Sequence, residues 1–306
     1  MEFLQRTARP PPSLLPRMRG AIWRQRALTP TCPDAPRLDG QLALVTGGNA
    51  GIGLETSLGL ARRGAEVVIA ARREAPARAA LQRLAAETGG KGHFVPLDLS
   101  DLRTVAPMLD ALGRLAGGRK VDRLVANAGV APREYAVSPQ GHELAFATNT
   151  LGHHLLIRRL LDRGWLTGAR VVLVTGDIYI MEKDCTPDFQ YRGARGGQAA
   201  YSRSKLGTLW EAHELARRHP ELEVVVVHPG VVASGLVATP GLLRWLFLEP
   251  VAGAQTTLIA ATQPGVRDAY LHNTLGRVEL APEDPAMDAR KAAALWETME
   301  RLCAPF

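Results

Sequence analysis

From Leu38 onward the sequence alternates short β-branched runs with longer Ala-, Leu- and Arg-rich segments of helical period, and few folds accept that alternation. Seven runs read as strands, over residues 42–46, 66–71, 93–97, 123–127, 170–175, 223–228 and 269–271. Helical spacing fills the intervals at 52–63, 75–87, 101–116, 139–163, 199–218, 251–263 and 286–302. Strands this continuous in Val, Ile, Leu and Ala are buried on both faces, as they are when crossover helices cover a parallel sheet. The expectation is one α/β domain over residues 39–306, a doubly wound seven-stranded parallel sheet with helices on both faces. No internal repeat or second domain is visible.

Residues 1–38 break the pattern. They hold seven arginines against Glu2 and Asp34, together with Pro10, Pro11, Pro12, Pro16, Pro30, Pro33 and Pro36. Each proline removes a backbone donor and clashes with the preceding turn, so this stretch reads as a flexible, basic, Pro-rich extension without a long helix. It also carries most of the chain's net charge of +7, which leaves the body nearly neutral and argues against nucleic-acid binding. No window approaches the roughly 18 apolar residues of a membrane span. Cys32, Cys185 and Cys303 are odd in number, far apart and without zinc-site spacing, so the reading is a reducing, cytoplasmic protein without a metal.

The first strand–helix junction reads Thr46-Gly47-Gly48-Asn49-Ala50-Gly51-Ile52-Gly53. Glycines after a strand and before a helix let the backbone approach a pyrophosphate and aim free N–H groups at it. The cofactor expected here is therefore a dinucleotide.

The spacing Gly-xxx-Gly-x-Gly behind Thr46 resembles that of the short-chain dehydrogenase/reductase family, and further matches follow in order. They are Asp98 and Leu99 after the third strand, and Asn127-Ala128-Gly129 after the fourth. Then come Asn149 in Asn149-Thr150-Leu151-Gly152-His153, the Tyr201/Lys205 pair, and His228-Pro229-Gly230-Val231-Val232-Ala233-Ser234. The resemblance spans residues 39–302 and implies a Rossmann-type fold. It places Pro229, Gly230, Val232 and Ser234 at the nicotinamide and Asp98 at the adenine. Within the family the chain looks most like the retinol-dehydrogenase and WW-domain-oxidoreductase branch, through the His228-Pro229-Gly230 and Asn149 motifs and Gly253-Ala254-Gln255-Thr256-Thr257.

The chemistry follows from the residues. Hydride transfer to a carbonyl leaves charge on its oxygen, and Tyr201 is positioned in the sequence to supply the proton. A free phenol has a pKa of about 10, and Lys205, one helical turn on, is expected to lower it. The resemblance also has Lys205 hold the nicotinamide ribose and has Asn149 fix a water leading to bulk solvent. One element departs from the family. Its serine, 25 residues before the tyrosine in this branch, is replaced by Gly176 in Val174-Thr175-Gly176-Asp177-Ile178-Tyr179. Losing such a donor costs about 100-fold to 1000-fold in rate. Thr175 faces the other side of the strand, so Asp177 and Tyr179 are the expected substitutes near the substrate.

The second strand ends Ala70-Ala71-Arg72-Arg73, with no acid to repel a 2′-phosphate and two guanidiniums to bind one, which favours NADP(H) over NAD(H). After the nicotinamide turn, Leu242-Leu243-Arg244-Trp245-Leu246-Phe247-Leu248 is unusually apolar. It reads as the wall of a pocket for a lipophilic alcohol or carbonyl, as a peripheral membrane contact, or as an interface of a homodimer or homotetramer. Two functions stand: an NADP(H)-dependent oxidoreductase, or a catalytically weakened nucleotide-binding protein acting as an interaction or sensor module.

Overall fold

The computed structural model describes residues 2–233, 236 and 245–306, the side chains of residues 20 and 21 excepted. Among the described residues the strands are β1 (Thr7–Ala8), β2 (Leu42–Thr46), β3 (Glu66–Ala71), β4 (Gly92–Pro96), β5 (Arg123–Ala126), β6 (Arg170–Val174), β7 (Glu223–His228), β8 (Tyr270–His272) and β9 (Gly276–Val278). They form one sheet in the order β1-β9-β8-β7-β6-β5-β2-β3-β4, parallel throughout except for β8 against β9. The α/β class holds, and the strand count rises from seven to nine. The two added strands are two and three residues long, too short to leave a periodic signal.

The helices are α1 (Glu2–Gln5), α2 (Leu14–Leu28), α3 (Gly51–Arg62), α4 (Glu74–Thr88), α5 (Val105–Ala116), α6 (Leu144–Phe146), α7 (Gly152–Asp162), α8 (Gly193–Arg218), α9 (Pro250–Thr262) and α10 (Ala289–Cys303). Alternate strand residues feed two cores. Leu42 and Leu44 join Leu112, Leu155, Trp210 and Trp296 from α5, α7, α8 and α10 on one face. Ala43 and Val45 join Leu58, Leu84 and Ile259 from α3, α4 and α9 on the other. The chain runs outward from β2 to β4 and then returns to β5 on the opposite side of β2. This reversal opens a crevice above the carboxyl ends of β2 and β5.

The expectation of a flexible extension over residues 1–38 is corrected. Residues 14–28 form the 15-residue helix α2, and β1 pairs parallel with β9. Pro16 is tolerated because it lies in the first turn, where the missing N–H has no helical partner to lose. Two polar side chains fasten α2 to the body. Arg17 is buried against Tyr179 and Asp284, and the fully enclosed Gln25 accepts from Val231 N at 3.0 Å and donates to Leu246 O at 2.8 Å.

The helix expected over 139–163 is interrupted. Glu143 caps it, accepting from Ala145 N and Phe146 N, and a π turn over Ala147–Leu151 separates α6 from α7. No helix of the described residues is long and apolar enough to cross a membrane.

Candidate active site

A cavity of about 800 Å³ follows the crevice from the glycine junction to the start of α8. Its inner end is built by local necessity. Gly47 carries φ +65°, and a Cβ on Gly53 would stand 2.4 Å from Gly47 O, so only glycine lets α3 begin this close to β2. The N-cap of α3 is Ala50, which offers no side-chain acceptor to the first-turn N–H groups. An uncapped helix start behind a glycine cradle fits a pyrophosphate. Gly47, Asn49, Gly51, Ile52, Gly53, Arg72, Asp98, Leu99, Asn127, Ala128 and Gly129, the residues expected at the cofactor, all line the cavity. Arg73 does not reach the described wall.

Thr46 sits behind that wall. Its Oγ1 accepts from Asn127 N and Ala128 N, both at 3.0 Å, and lies 2.9 Å from His153 Nε2. With both lone pairs engaged, the hydroxyl proton goes to His153 Nε2. This puts the ring proton on Nδ1, which donates to Asn149 O at 3.1 Å. Burial holds His153 neutral by lowering its pKa to about 4. Thr46 is therefore a staple between β2 and β5, which fixes where Asn127 and Ala128 stand on the cavity wall.

Asn149, in the π turn, also stands behind the wall. Its Oδ1 accepts from Val130 N at 2.8 Å, and its Nδ2 donates to Val130 O and to Ser204 Oγ, each at 2.9 Å. It locks the loop after β5 to α8, where Tyr201 and Lys205 reside. π turns recur at functional sites because they re-aim a stretch of helix without ending it.

Tyr201 and Lys205 both open onto the cavity, one turn apart on α8. Lys205 Nζ donates to Val174 O at 2.8 Å and lies 5.6 Å from the Tyr201 ring centroid. Thr175 Oγ1 donates to Lys205 O at 2.9 Å, so the end of β6 grips α8 from both sides. The expectation that Lys205 lowers the phenol pKa is corrected. Burial dominates, raising Tyr201 to about 12 and lowering Lys205 to about 8. At neutral pH the phenol is protonated and the lysine cationic.

The two proposed stand-ins for the family's serine are corrected as well. Tyr179 is fully buried outside the cavity wall, where its hydroxyl accepts from Arg17 Nη1 at 3.0 Å and donates to Asp284 Oδ2 at 3.0 Å. Asp177 does line the cavity, but its carboxylate accepts from His272 Nε2 at 2.9 Å and lies 3.6 Å from Arg17 Nη1. The adjoining His228 and His272 rings and the Arg17 guanidinium hold its pKa far below the usual carboxylate range despite burial. Gly176 is extended, at φ −162°, and borders open space.

Pro229, Gly230 and Val232, expected at the nicotinamide, line the cavity, with Gly230 at φ +91°. Ser234 and residues 242–244 of the apolar segment lie outside the described residues. Phe247 reaches the cavity, and Trp245, 56% exposed, meets the 70% exposed Trp23 of α2 edge-on at 6.2 Å. Sequence reasoning missed Leu14 and Met18 of α2, which complete the outer wall, and His228, which it read only as part of a turn motif. It also missed the meeting of Asp177, His228 and His272, whose ligand atoms lie within 4.8 Å of one another although no sequence spacing announces them.

A tyrosine and lysine facing a helix-start phosphate cradle across a doubly wound sheet mark the class of nucleotide-dependent oxidoreductases. Residues 41–181 match the family model described as short chain dehydrogenase. Retinol dehydrogenase 14 of Mus musculus is 33% identical over 297 residues, covering 87% of each chain. Retinol dehydrogenase 12 of Homo sapiens is 35% identical over 246 residues, covering 77% of each. Among solved structures, an uncharacterised protein from Mycobacterium Paratuberculosis superposes with TM-score 0.70 at 30% identity, over 90% of this chain and 98% of that one. The chain belongs to the short-chain dehydrogenase/reductase family, in its retinol dehydrogenase branch, and is an oxidoreductase. The comparisons lend nothing to the alternative of a catalytically weakened nucleotide-binding protein acting as an interaction or sensor module.

Proposed function

We propose that the protein is an NADP(H)-dependent enzyme acting on the carbonyl or alcohol group of a lipophilic small molecule. The observation that carries this reading is one cavity lined by both the glycine cradle and the Tyr201/Lys205 pair. Its outer wall is built from Leu14, Met18, Leu144, Ile178, Leu236 and Phe247. An apolar wall beside a few polar groups selects a ligand that is greasy apart from its reacting end. The relatives named retinol dehydrogenase are in keeping with that chemistry. The nucleotide, when bound, supplies or takes the hydride. The chain's own residues do the rest. Tyr201 gives its proton to the carbonyl oxygen during reduction, and the Lys205 cation stabilises the phenolate left behind. Asn149 keeps both in register through Ser204 and Val130.

NADP(H) is favoured over NAD(H) by Arg72, which lines the cavity at the end of β3. Among the described residues it has no hydrogen bond or ion pair of its own, so its guanidinium is available to a 2′-phosphate. Three buried, unpaired cysteines are in keeping with a reducing cytoplasm. The deciding experiment is a panel of aldehydes, ketones, retinoids and steroids, read by NADPH oxidation. Turnover that strengthens with the apolar size of the substrate supports the reading. Turnover confined to small hydrophilic carbonyls, or no turnover on any of them, overturns it.

A further inference from the structure

His228 ends β7 with its side chain 7% exposed, and neither ring nitrogen has a hydrogen-bond partner among the described residues. Leaving such a buried polar group unsatisfied costs about 1–3 kcal/mol, so its missing partner needs an explanation. The neighbours do not supply one. His228 Nε2 stands 3.8 Å from Asp177 Oδ2, beyond hydrogen-bond reach. The carboxylate of Asp177 is already held by His272, whose Nδ1 in turn accepts from Thr274 N at 3.2 Å. Among the described residues, chain neighbours aside, Nδ1 of His228 is the one atom within 4.0 Å of where a Cβ on Gly176 would be. His228 lines the same cavity as Tyr201 and Lys205.

We propose that His228 holds the reacting oxygen of the substrate, its Nδ1–H donating a hydrogen bond into the space that Gly176 leaves open. This rests on the oxidoreductase reading above and adds to it the group that completes the site. During reduction the hydride bonds to the carbonyl carbon and the C=O π pair moves onto oxygen. That oxygen takes the proton of Tyr201. His228 gives up no proton and only stabilises the developing charge, which a neutral imidazole can do. Burial keeps the ring neutral, with its pKa lowered to about 4. The glycine is then part of the arrangement, since a side chain at residue 176 would stand between the ring and the substrate.

The competing use of this corner is a metal ion held by Asp177, His228 and His272. The cluster offers a single carboxylate, and the Arg17 guanidinium, 3.6 Å from Asp177 Oδ1, is a fixed positive charge beside it that opposes a further cation.

The test compares His228→Leu, His228→Asn and the double variant His228→Leu/Gly176→Ser, with kcat on the best carbonyl substrate and NADPH affinity measured in parallel. His228→Leu should lower kcat by about 100-fold or more with NADPH affinity unchanged. His228→Asn, whose amide can place an N–H near the Nδ1 position, should keep at least about a tenth of the activity. Adding Gly176→Ser to His228→Leu should restore kcat by about tenfold or more, a rescue that a packing role for the ring does not predict. If His228→Leu loses nucleotide binding, His228→Phe, closer to the ring in shape, takes its place. Full activity of the Leu or Phe variant overturns the inference, as does equal loss in the Asn and Leu variants without serine rescue. Inactivation of the wild type by EDTA with recovery on added zinc also overturns it, in favour of the metal. A wild type with no turnover on any carbonyl removes the enzymatic reading and this inference together. An active wild type with an unaffected Leu variant removes only the inference.

Discussion

Arg17 donates to Asp284 Oδ2 at 3.0 Å, joining a helix near the start of the chain to the turn before α10. The Arg17 side chain is 2% exposed and also contacts Tyr179 and Asp177, so one guanidinium answers the charge of two buried acids. Arg17→Met should therefore cost about 3–5 kcal/mol, because both acids stay buried without their cation. Denaturant unfolding of the two proteins measures this. A loss below about 1 kcal/mol would mean that α2 contributes little to the fold.

Tyr201→Phe should abolish carbonyl reduction while leaving nucleotide binding intact, since only the proton donor is removed. Lys205→Ala should harm both, because Lys205 Nζ ties α8 to Val174 O as well as facing the cavity. Steady-state kinetics and nucleotide fluorescence titration separate the two effects. A Tyr201→Phe enzyme with more than about a tenth of the activity contradicts this assignment.

The pH profile follows from Lys205. Burial lowers its pKa to about 8, so the free enzyme carries the cation below that pH and loses it above. Reduction needs the cation beside the newly formed phenolate, so kcat/KM should be flat toward pH 7 and fall as pH rises through about 8. Tyr201, raised to about 12, stays protonated over the whole range and contributes no limb of its own. A profile level to pH 10 would show that the Lys205 charge is not used.

Arg72→Ala should weaken NADPH binding by about tenfold or more and leave NADH nearly unchanged, as the lost contact is to the 2′-phosphate. Arg73→Ala should do less, since Arg73 is not on the described cavity wall. Equal affinity of the wild type for both nucleotides would remove the basis for the preference.

Gly176→Ser alone should fold normally. The backbone there is extended, and the nearest atom to a new Cβ is 4.0 Å away. The kcat should change by less than about threefold, because the new hydroxyl stands between the ring and the substrate and supplies a donor in place of the one it screens. A tenfold gain would instead show that nothing had replaced the missing hydroxyl.

The glycine junction, the Tyr201/Lys205 pair and the strands from β2 to β7 were legible in the sequence because each is local. A glycine turn, a four-residue helical interval and a β-branched run keep their meaning whatever the rest of the chain does. Tertiary structure alone decided what residues 1–38 do: Arg17 and Gln25 lie in a proline-rich frame with no periodicity, and only contacts more than 160 residues away in sequence show them to be buried. The same holds at Gly176. The sequence shows that a hydroxyl is absent there, whereas the unpaired ring of His228 beside it appears only once β6 and β7 lie side by side. Likewise the sign of the Tyr201 shift depended on desolvation, a property of the packed interior that a lysine four residues away does not report.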